Sequence, residues 1–148
     1  MKTAYIACPL LLVLGAALAT PAMSANPPAA QASAAQKAAA DATVIPLMVK
    51  ELADFPGKEV EMLTVEYAPG ASSGSHRHNA HTFVYVLEGS VVMQVEGGKV
   101  TTLGPGGTFY ESPHDVHTVS RNASSTSPAR FLVLFLKDKG APGTVPVH

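Results

Sequence analysis

The chain has 148 residues, the size of a single domain. Only 14% of these residues are charged and the formal net charge is −1, so the chain lacks the basic surface that nucleic-acid binding requires. Twelve Gly, twelve Pro and no Trp favour many turns and short strands over long helices.

The first 25 residues differ in kind from the rest of the chain. Lys2 precedes an apolar run from Ala4 to Ala19, and small residues with a helix-breaking Pro21 follow. This order is typical of a secretory signal peptide, residues 1–25, and the run is shorter than the roughly 20 residues of a membrane span. We therefore expect a periplasmic or secreted protein with no stable membrane span after cleavage; an uncleaved anchor is the alternative. Cys8 is the only cysteine, so cleavage would leave neither a disulfide nor a thiol nucleophile.

Composition divides the remainder into three parts. Residues 26–42, "NPPAAQASAAQKAAADA", have no large apolar side chain and are predicted to form a disordered, flexible linker; a short Ala-rich helix, marginal in isolation, is the alternative. Residues 43–139 are predicted to fold as one barrel. Residues 140–148, "GAPGTVPVH", have turn composition and are expected to run along the surface as a C-terminal tail.

Short runs of β-branched and aromatic residues alternate with turn signals through the folded part. In "EVEMLTVEY" the residues Leu63, Val65 and Tyr67 fall on one face of a strand. "TFVYVLEG" and "SVVMQVEGG" are interpreted as a hairpin around Glu88-Gly89. Four further runs follow at close spacing, and the pattern predicts an all-β sandwich or barrel.

Two features of these runs leave structural questions. "PLMVKELADF", residues 46–55, fits either a helical turn or an edge strand. The aromatic side chains are expected to pack in the core or against the sheets: Phe83, Tyr85, Phe109, Phe131 and Phe135.

Histidines are concentrated in "GSHRHNAH", residues 74–81. His76 and His78 are two residues apart, so on a strand their side chains leave the same face, and on a barrel interior they would converge as metal ligands. His81 follows a turn-like Asn-Ala pair that would bring a third ring near. "ESPHDVHTVSRN" supplies His114 and His117 from a distant strand, which is how a barrel builds an open metal site.

Two segments resemble the paired motifs of the cupin superfamily. "PGASSGSHRHNAHTFVYVLEG" is similar to the first motif, through Gly70, His76, His78 and Gly89. "GTFYESPHDVHTVSRN" is similar to the second, through Gly107, Pro113, His117 and Asn122, with a one-residue change of spacing near the histidine. The resemblance covers residues 60–136 and implies the cupin double-stranded β-helix, a jelly-roll barrel.

The resemblance also implies a ligand set. The family's histidine ligands fall on His76, His78 and His117, whereas its glutamate ligand falls on Thr82, which is a poor ligand. The site is then either a three-histidine site or one that recruits His81, and strand alternation opposes His81 unless a loop extends to it. Glu111 is a fallback oxygen ligand.

Two residues near the second motif have plainer interpretations. His114 is expected to be an exposed histidine at a turn, with a role at the mouth of the site as the alternative. Asp115 is expected to be a turn aspartate, with the alternative that it orients a ligand.

Imidazole ligands suit several divalent transition metals, so the cofactor is Fe, Cu, Ni, Mn or Zn. A metal in such a site would act on a small organic substrate, in a dioxygenase-like or an isomerase-like reaction. The competing interpretation is a non-catalytic small-molecule or metal binder or sensor, and a third is a structural barrel with vestigial histidines. Catalytic residues beyond the ligands are not assigned, and the resemblance adds a homodimer paired through sheet edges.

Overall fold

The computed structural model describes residues 42–147, which form eleven β-strands. The predicted signal peptide and residues 26–41 of the predicted linker lie outside the described residues. The strands are β1 (Ala42–Glu51), β2 (Lys58–Tyr67), β3 (Ser72–Ser73), β4 (His76–Arg77), β5 (Ala80–Glu88), β6 (Val91–Val95), β7 (Thr101–Leu103), β8 (Thr108–Glu111), β9 (Val116–Asn122), β10 (Ala129–Asp138) and β11 (Val145–Pro146). Within residues 42–147, no helix is long and apolar enough to cross a membrane.

The strands form two antiparallel sheets. The front sheet has the order β1-β2-β10-β5-β8, and the back sheet has the order β11-β4-β9-β6-β7, with β3 also paired to β9. The all-β jelly-roll prediction is confirmed. Residues 46–51 of the segment 46–55 belong to the edge strand β1, and residues 52–55 form a turn outside any helix.

The core lies between the sheets and is built from alternate residues of each strand. Leu63, Val65 and Tyr67 of β2 face inward as predicted, next to Val133, Phe131 and Ala129 of β10. The rings of Tyr67 and Phe131 meet edge to face with centroids 5.4 Å apart. The other buried apolar side chains of the core are Ala71, Ala80, Val84, Val86, Val91, Met93 and Phe135.

The predicted core packing is confirmed for three of the five aromatic residues named from the sequence. Phe131 and Phe135 lie in the core, and Phe109 packs half-buried against it. Phe83 and Tyr85 instead lie on the outer face of the front sheet, 48% and 47% exposed. The reason is the strict alternation of β5, in which Ala80, Thr82, Val84 and Val86 take the inward positions.

The predicted β5–β6 hairpin is wrong. β5 pairs with β10 and β8 in the front sheet, whereas β6 pairs with β9 and β7 in the back sheet. Gly89 therefore carries the chain from one sheet to the other, with a φ of 69° that side chains rarely adopt. A Cβ at this position would collide with the Pro128 carbonyl oxygen and lie 2.8 Å from Ala129 Cα.

Asn122 fixes the loop that follows β9. Its amide group donates hydrogen bonds to Ala68 O and Ser127 O at 3.0 and 2.8 Å, and its side-chain oxygen accepts one from the Ser124 N–H at 2.9 Å. The side chain is buried, so these bonds replace those it would make with water. The loop between β9 and β10 is thereby tied to the end of β2.

A buried ion pair joins β2 to β10 at one end of the front sheet. The ammonium group of Lys137 donates to Glu59 and to Ala141 O, and Glu61 Oε2 lies 3.4 Å from the same nitrogen. The hydrogen bond from Lys137, together with one from the Gly140 N–H, lowers the pKa of Glu59. Burial alone would lower the pKa of Lys137, but Glu59 and Glu61 raise it overall.

We expect Gly89→Ala to destabilise the protein by about 3 kcal/mol or more, because it combines backbone strain with displacement of a neighbouring strand. Gly97→Ala is the matched control, since Gly97 has a φ of 73° and open space around it. The control should lose only about 1 kcal/mol. Urea unfolding of both variants measures the difference, and equal losses would contradict the collision.

We expect the unfolding free energy of Glu59→Gln to depend less on pH in the acid range than that of the parent. The pKa of Glu59 is lowered in the folded state. Its contribution to the unfolding free energy is therefore complete above its pKa in the unfolded state, about 4.3, and is lost as the pH falls through its pKa in the folded state. The parent should therefore lose more unfolding free energy than Glu59→Gln between about pH 5 and pH 3. Glu96→Gln, at an exposed glutamate, should follow the parent; matching curves for all three proteins would refute the assignment.

Candidate metal centre

Three histidines from two strands of the back sheet converge on one point. His76 lies in β4, His78 directly follows it, and His117 lies in β9 opposite His76 in the ladder. One nitrogen from each ring lies within 4.8 Å of the other two. A shared ion at about 2.1 Å from each nitrogen needs separations of about 4.2 Å or less, so a small inward rotation of the rings suffices.

Backbone carbonyls hold two of these rings in position. His76 Nδ1 lies 2.8 Å from Gly74 O, and His78 Nδ1 lies 2.8 Å from Gly143 O. A carbonyl oxygen only accepts, so in each ring Nδ1 carries the proton and Nε2 keeps its lone pair. This arrangement is the one that fixes the tautomer and orientation of histidine ligands at metal sites.

The C-terminal segment contributes to the site. β11 pairs with β4, so that Pro146 lies opposite His76. The Gly143 carbonyl and Thr144 Oγ1, at 2.8 and 3.2 Å, both contact His78 Nδ1. The turn composition of residues 140–148 predicted only a surface tail, and no periodic pattern marks a strand of two residues.

A buried carboxylate completes the cluster. Glu111 of β8 is 2% exposed, and its Oε2 lies 3.1 Å from His117 Nδ1 and 3.6 Å from His78 Nε2. Glu111 is the cross-strand partner of Thr82 on β5. Directly paired residues on one face of a sheet have Cβ atoms about 5 Å apart. Glu111, the fallback oxygen ligand, therefore lies beside Thr82 and directs its carboxylate at the histidines.

Several polar atoms of this cluster lack partners within the described chain. Glu111 Oε2, both ring nitrogens of His117 and Thr82 Oγ1 are buried without a hydrogen bond. Burying such atoms unpaired costs about 1–3 kcal/mol each. A cation between the imidazoles and the carboxylate would satisfy the nitrogen and oxygen lone pairs. The residues present therefore fit a divalent transition metal.

The protonation of His78 suits ligation. Burial lowers the pKa of His78, and the opposing influences of Glu111 and the Gly143 carbonyl do not reverse this shift. The neutral ring, which is the form that binds a metal, is therefore favoured at neutral pH.

His81 does not join the cluster. β5 begins at Ala80, so alternation places His81 on the outer face of the front sheet, where its Nδ1 lies 2.7 Å from Tyr110 Oη. The predicted recruitment of His81 needed a loop at this position, and the strand removes that possibility. His114 is exposed at the β8–β9 turn, and Asp115 accepts a 2.7 Å hydrogen bond from the Ser112 N–H within the same turn.

The cluster lies in a cavity of about 400 Å³ between the two sheets. Apolar side chains form most of its wall: Val44, Leu63, Val65, Val84, Met93, Phe131, Val133 and Phe135. Away from the histidines, Tyr67 Oη lies 2.7 Å from both Ser73 Oγ and Ser120 Oγ, and all three residues line the cavity. No Lys or Arg is among the residues that line it.

The Cupin domain family model matches residues 63–135, a region that contains His76, His78, Glu111 and His117. Together with the fold and the cupin structures it resembles, this match shows that the chain belongs to the cupin superfamily. A search of the curated proteins finds no match.

Solved structures resemble the chain over about two thirds of its length. A cupin superfamily protein from Desulfitobacterium hafniense is 16% identical, with a TM-score of 0.53 over 66% of this chain and 79% of that one; at this identity the likeness concerns the fold alone. A protein from Thermus thermophilus is 28% identical, with a TM-score of 0.52 over 65% of this chain and 83% of that one. An oxalate oxidase in complex with the substrate analogue glycolate is 26% identical, with a TM-score of 0.51 over 70% of this chain and 54% of that one. The chain thus spans about half the length of the oxalate oxidase.

We expect about one divalent transition metal per chain, lost in the His76→Ala/His78→Ala variant because two of three imidazoles are removed. His81→Ala is the matched control and should keep the metal, since this ring lies outside the cluster. Glu111→Gln should weaken binding by about tenfold to a hundredfold, because the amide keeps the shape but not the charge. Elemental analysis of the untagged proteins after incubation with each metal measures these contents; a metal-free parent, or loss of metal in His81→Ala, would contradict the site.

Proposed function

We propose that this chain is an exported cupin enzyme that uses a divalent transition metal to oxidise a small, uncharged organic molecule with dioxygen. The observation that carries the proposal is the convergence of His76, His78, His117 and Glu111 on one point of an apolar cavity. The N-terminal signal pattern of residues 1–25 supports export.

The metal would be held by the three imidazoles and by Glu111. Bound there, a redox-active ion would supply a binding position for dioxygen and a route for electrons from the substrate. The carbonyls of Gly74 and Gly143 keep the lone pairs of His76 and His78 directed at that point. Glu111 contributes one negative charge, which partly neutralises a divalent ion in a buried site.

The walls of the cavity would bind the carbon skeleton of the substrate. Core residues such as Val133 and Phe135 present apolar surface to the cavity. The hydroxyl groups of Tyr67, Ser73 and Ser120 are the polar counterpart, because a hydroxyl can both donate and accept. This pattern suits a molecule with an apolar body and one hydroxyl or carbonyl group.

Few side chains that line the cavity could transfer a proton to or from the substrate. Among the residues that line the cavity, the titratable ones are the three histidines, Glu111 and Tyr67. Burial raises the pKa of Tyr67, against the hydrogen bonds to Ser120 and Ser73, so its phenol stays protonated. With the other four groups engaged at the metal, no free base remains there for an isomerase. This supports the oxidative reaction over the isomerase-like one.

The charged groups that line the cavity favour an uncharged substrate over an anionic one. A dicarboxylate such as oxalate would need cations to replace its hydration, and no Lys or Arg lines this cavity. Glu111 would also repel a second carboxylate near the metal. We therefore propose a substrate chemistry different from that named for the oxalate oxidase.

A second candidate function is a non-catalytic binder or sensor. The three imidazoles and Glu111 would hold the metal, and the hydroxyl groups of Tyr67, Ser73 and Ser120 would hold one small ligand in the cavity. This function needs no group of the protein that transfers a proton.

Binding and turnover on the metal-loaded protein test the proposal. Calorimetry with phenol and benzaldehyde, beside oxalate and glycolate, should give binding to the uncharged compounds that is at least about tenfold tighter. An oxygen electrode with the iron-loaded or copper-loaded protein should then show uptake that the His76→Ala/His78→Ala variant lacks. Binding without oxygen uptake would favour the binder, and preferred binding of oxalate would overturn the proposed substrate class.

A further inference from the structure

Residues 142–147, which we refer to as the strap, lie at the mouth of the cavity. Among the residues that line the cavity, the exposed ones mark where it opens to solvent: Val44, Gly74, Ser75, Thr144 and Pro146. Val44 belongs to the edge strand β1, and Gly74 and Ser75 precede β4. Thr144 and Pro146 belong to the strap, so the position of the strap determines how wide the mouth is.

The strap also holds one of the clustered histidines. Within the described chain, both hydrogen-bond partners of His78 Nδ1 come from the strap, Gly143 O at 2.8 Å and Thr144 Oγ1 at 3.2 Å. His78 is only 6% exposed, so water has little access to this ring while the strap is in place. Displacement of the strap would remove both partners and free the ring to leave the orientation that ligation requires.

The chain that precedes the strap is anchored by the buried ion pair of Lys137 and Glu59. The ammonium group of Lys137 donates a hydrogen bond to Ala141 O at 2.8 Å. The carboxylate of Glu59 accepts one from the Gly140 N–H at 3.1 Å. Residues 140 and 141 are therefore fixed to the front sheet, and movement of the strap would begin after Ala141.

The strap itself is held weakly. None of its side chains is buried, and its strand β11 has only two residues. Pro146 lies opposite His76 but has no N–H group to donate to the ladder. The Val147 N–H reaches Ser75 O at the long distance of 3.3 Å. Segments with few buried apolar contacts open at a small cost in free energy, so the strap can open while the barrel stays folded.

We propose that the strap opens and closes over the cavity, that its closure orients His78 for ligation, and that its opening lets the metal ion enter or leave. This inference rests on the proposed metal function, because the strap acts on a ligand of that metal. Closure favours metal binding, and by thermodynamic reciprocity the bound metal favours closure. Gly143 and Thr144 are thus positioning residues that act through His78.

The closed position of the strap depends on the absence of a side chain at residue 143. A Cβ on Gly143 would lie 3.0 and 3.1 Å from two ring carbons of Phe135, which is buried in the core. A buried ring cannot easily retreat, so Gly143→Ala displaces the strap outward. Gly98 is the matched control, because a Cβ there would lie 3.0 Å from Val95 Cγ2 between β6 and β7, outside the cavity lining.

A reversible disulfide tests the strap without a change of sequence between the compared forms. Arg77 and Val145 are direct partners in the ladder of β4 and β11. Such partners have Cα atoms about 4.5–5.5 Å apart, which suits a disulfide. Cys8 is the only cysteine, so Cys8→Ser/Arg77→Cys/Val145→Cys has a single pair of thiols. Oxidation locks the strap closed, and the same protein reduced with dithiothreitol is the matched control.

The measurement is the rate at which the zinc-loaded protein releases zinc to an excess of chelator. The oxidised form should release zinc at least about tenfold more slowly than the reduced form, because the lock suppresses opening. Gly143→Ala should release zinc faster than the parent, whereas Gly98→Ala should release it at the parent's rate. In the unsubstituted protein, zinc should slow amide exchange more in residues 143–147 than in β7.

The outcomes separate the strap from the metal site. Equal release rates for the oxidised and reduced forms would overturn the role of the strap and leave the metal site standing. A Gly143→Ala rate equal to that of Gly98→Ala would do the same. A parent that takes up no divalent metal would overturn the proposed function and, with it, the role of the strap in ligation.

Discussion

The register of the antiparallel ladders is the constraint on which the site depends. His117 is paired with His76 across β9 and β4, and Glu111 is paired with Thr82 across β8 and β5. A shift of one residue in either pairing would turn the whole strand over and remove its ligand from the cavity. The sheets therefore fix the donor atoms as firmly as they fix the core. Gly89 supports this register because it allows the chain to leave the front sheet at the end of β5 and to enter the back sheet at β6.

The cavity combines an apolar wall with a cluster of unsatisfied polar atoms, and this combination is costly without a cation. Glu111 Oε2 and both nitrogens of His117 have lost water and gained no hydrogen bond within the described residues. An ion that binds only the folded state would recover this cost as stability, so metal affinity and folding free energy are linked. The same buried and largely apolar surroundings would strengthen every electrostatic interaction with the ion.

The sequence predicted the fold and the three clustered histidines from physical patterns, and it indicated Glu111 only as a fallback ligand. Period-two patterns such as Leu63-Val65-Tyr67 identify a buried strand face, and the His76-His78 spacing identifies a shared direction. The position of Glu111 followed from no local pattern, because its relation to Thr82 is a cross-strand pairing. The contact of Gly143 with His78 could not be predicted from the sequence either, because it depends on a strand of two residues near the end of the chain. Local patterns indicate faces, whereas the pairing of distant strands determines which faces meet.

Strand β10 is apolar on both of its faces from Phe131 to Leu136. On the inner face, Phe131 and Val133 line the cavity, and on the outer face, Leu132 and Leu134 alternate with them along the same strand. A continuous apolar run such as "FLVLFL" is what a strand buried on both sides requires. The odd-numbered residues of this run, Phe131, Val133 and Phe135, face the core and the cavity. Its even-numbered residues, Leu132, Leu134 and Leu136, lie half-buried on the other side of the sheet.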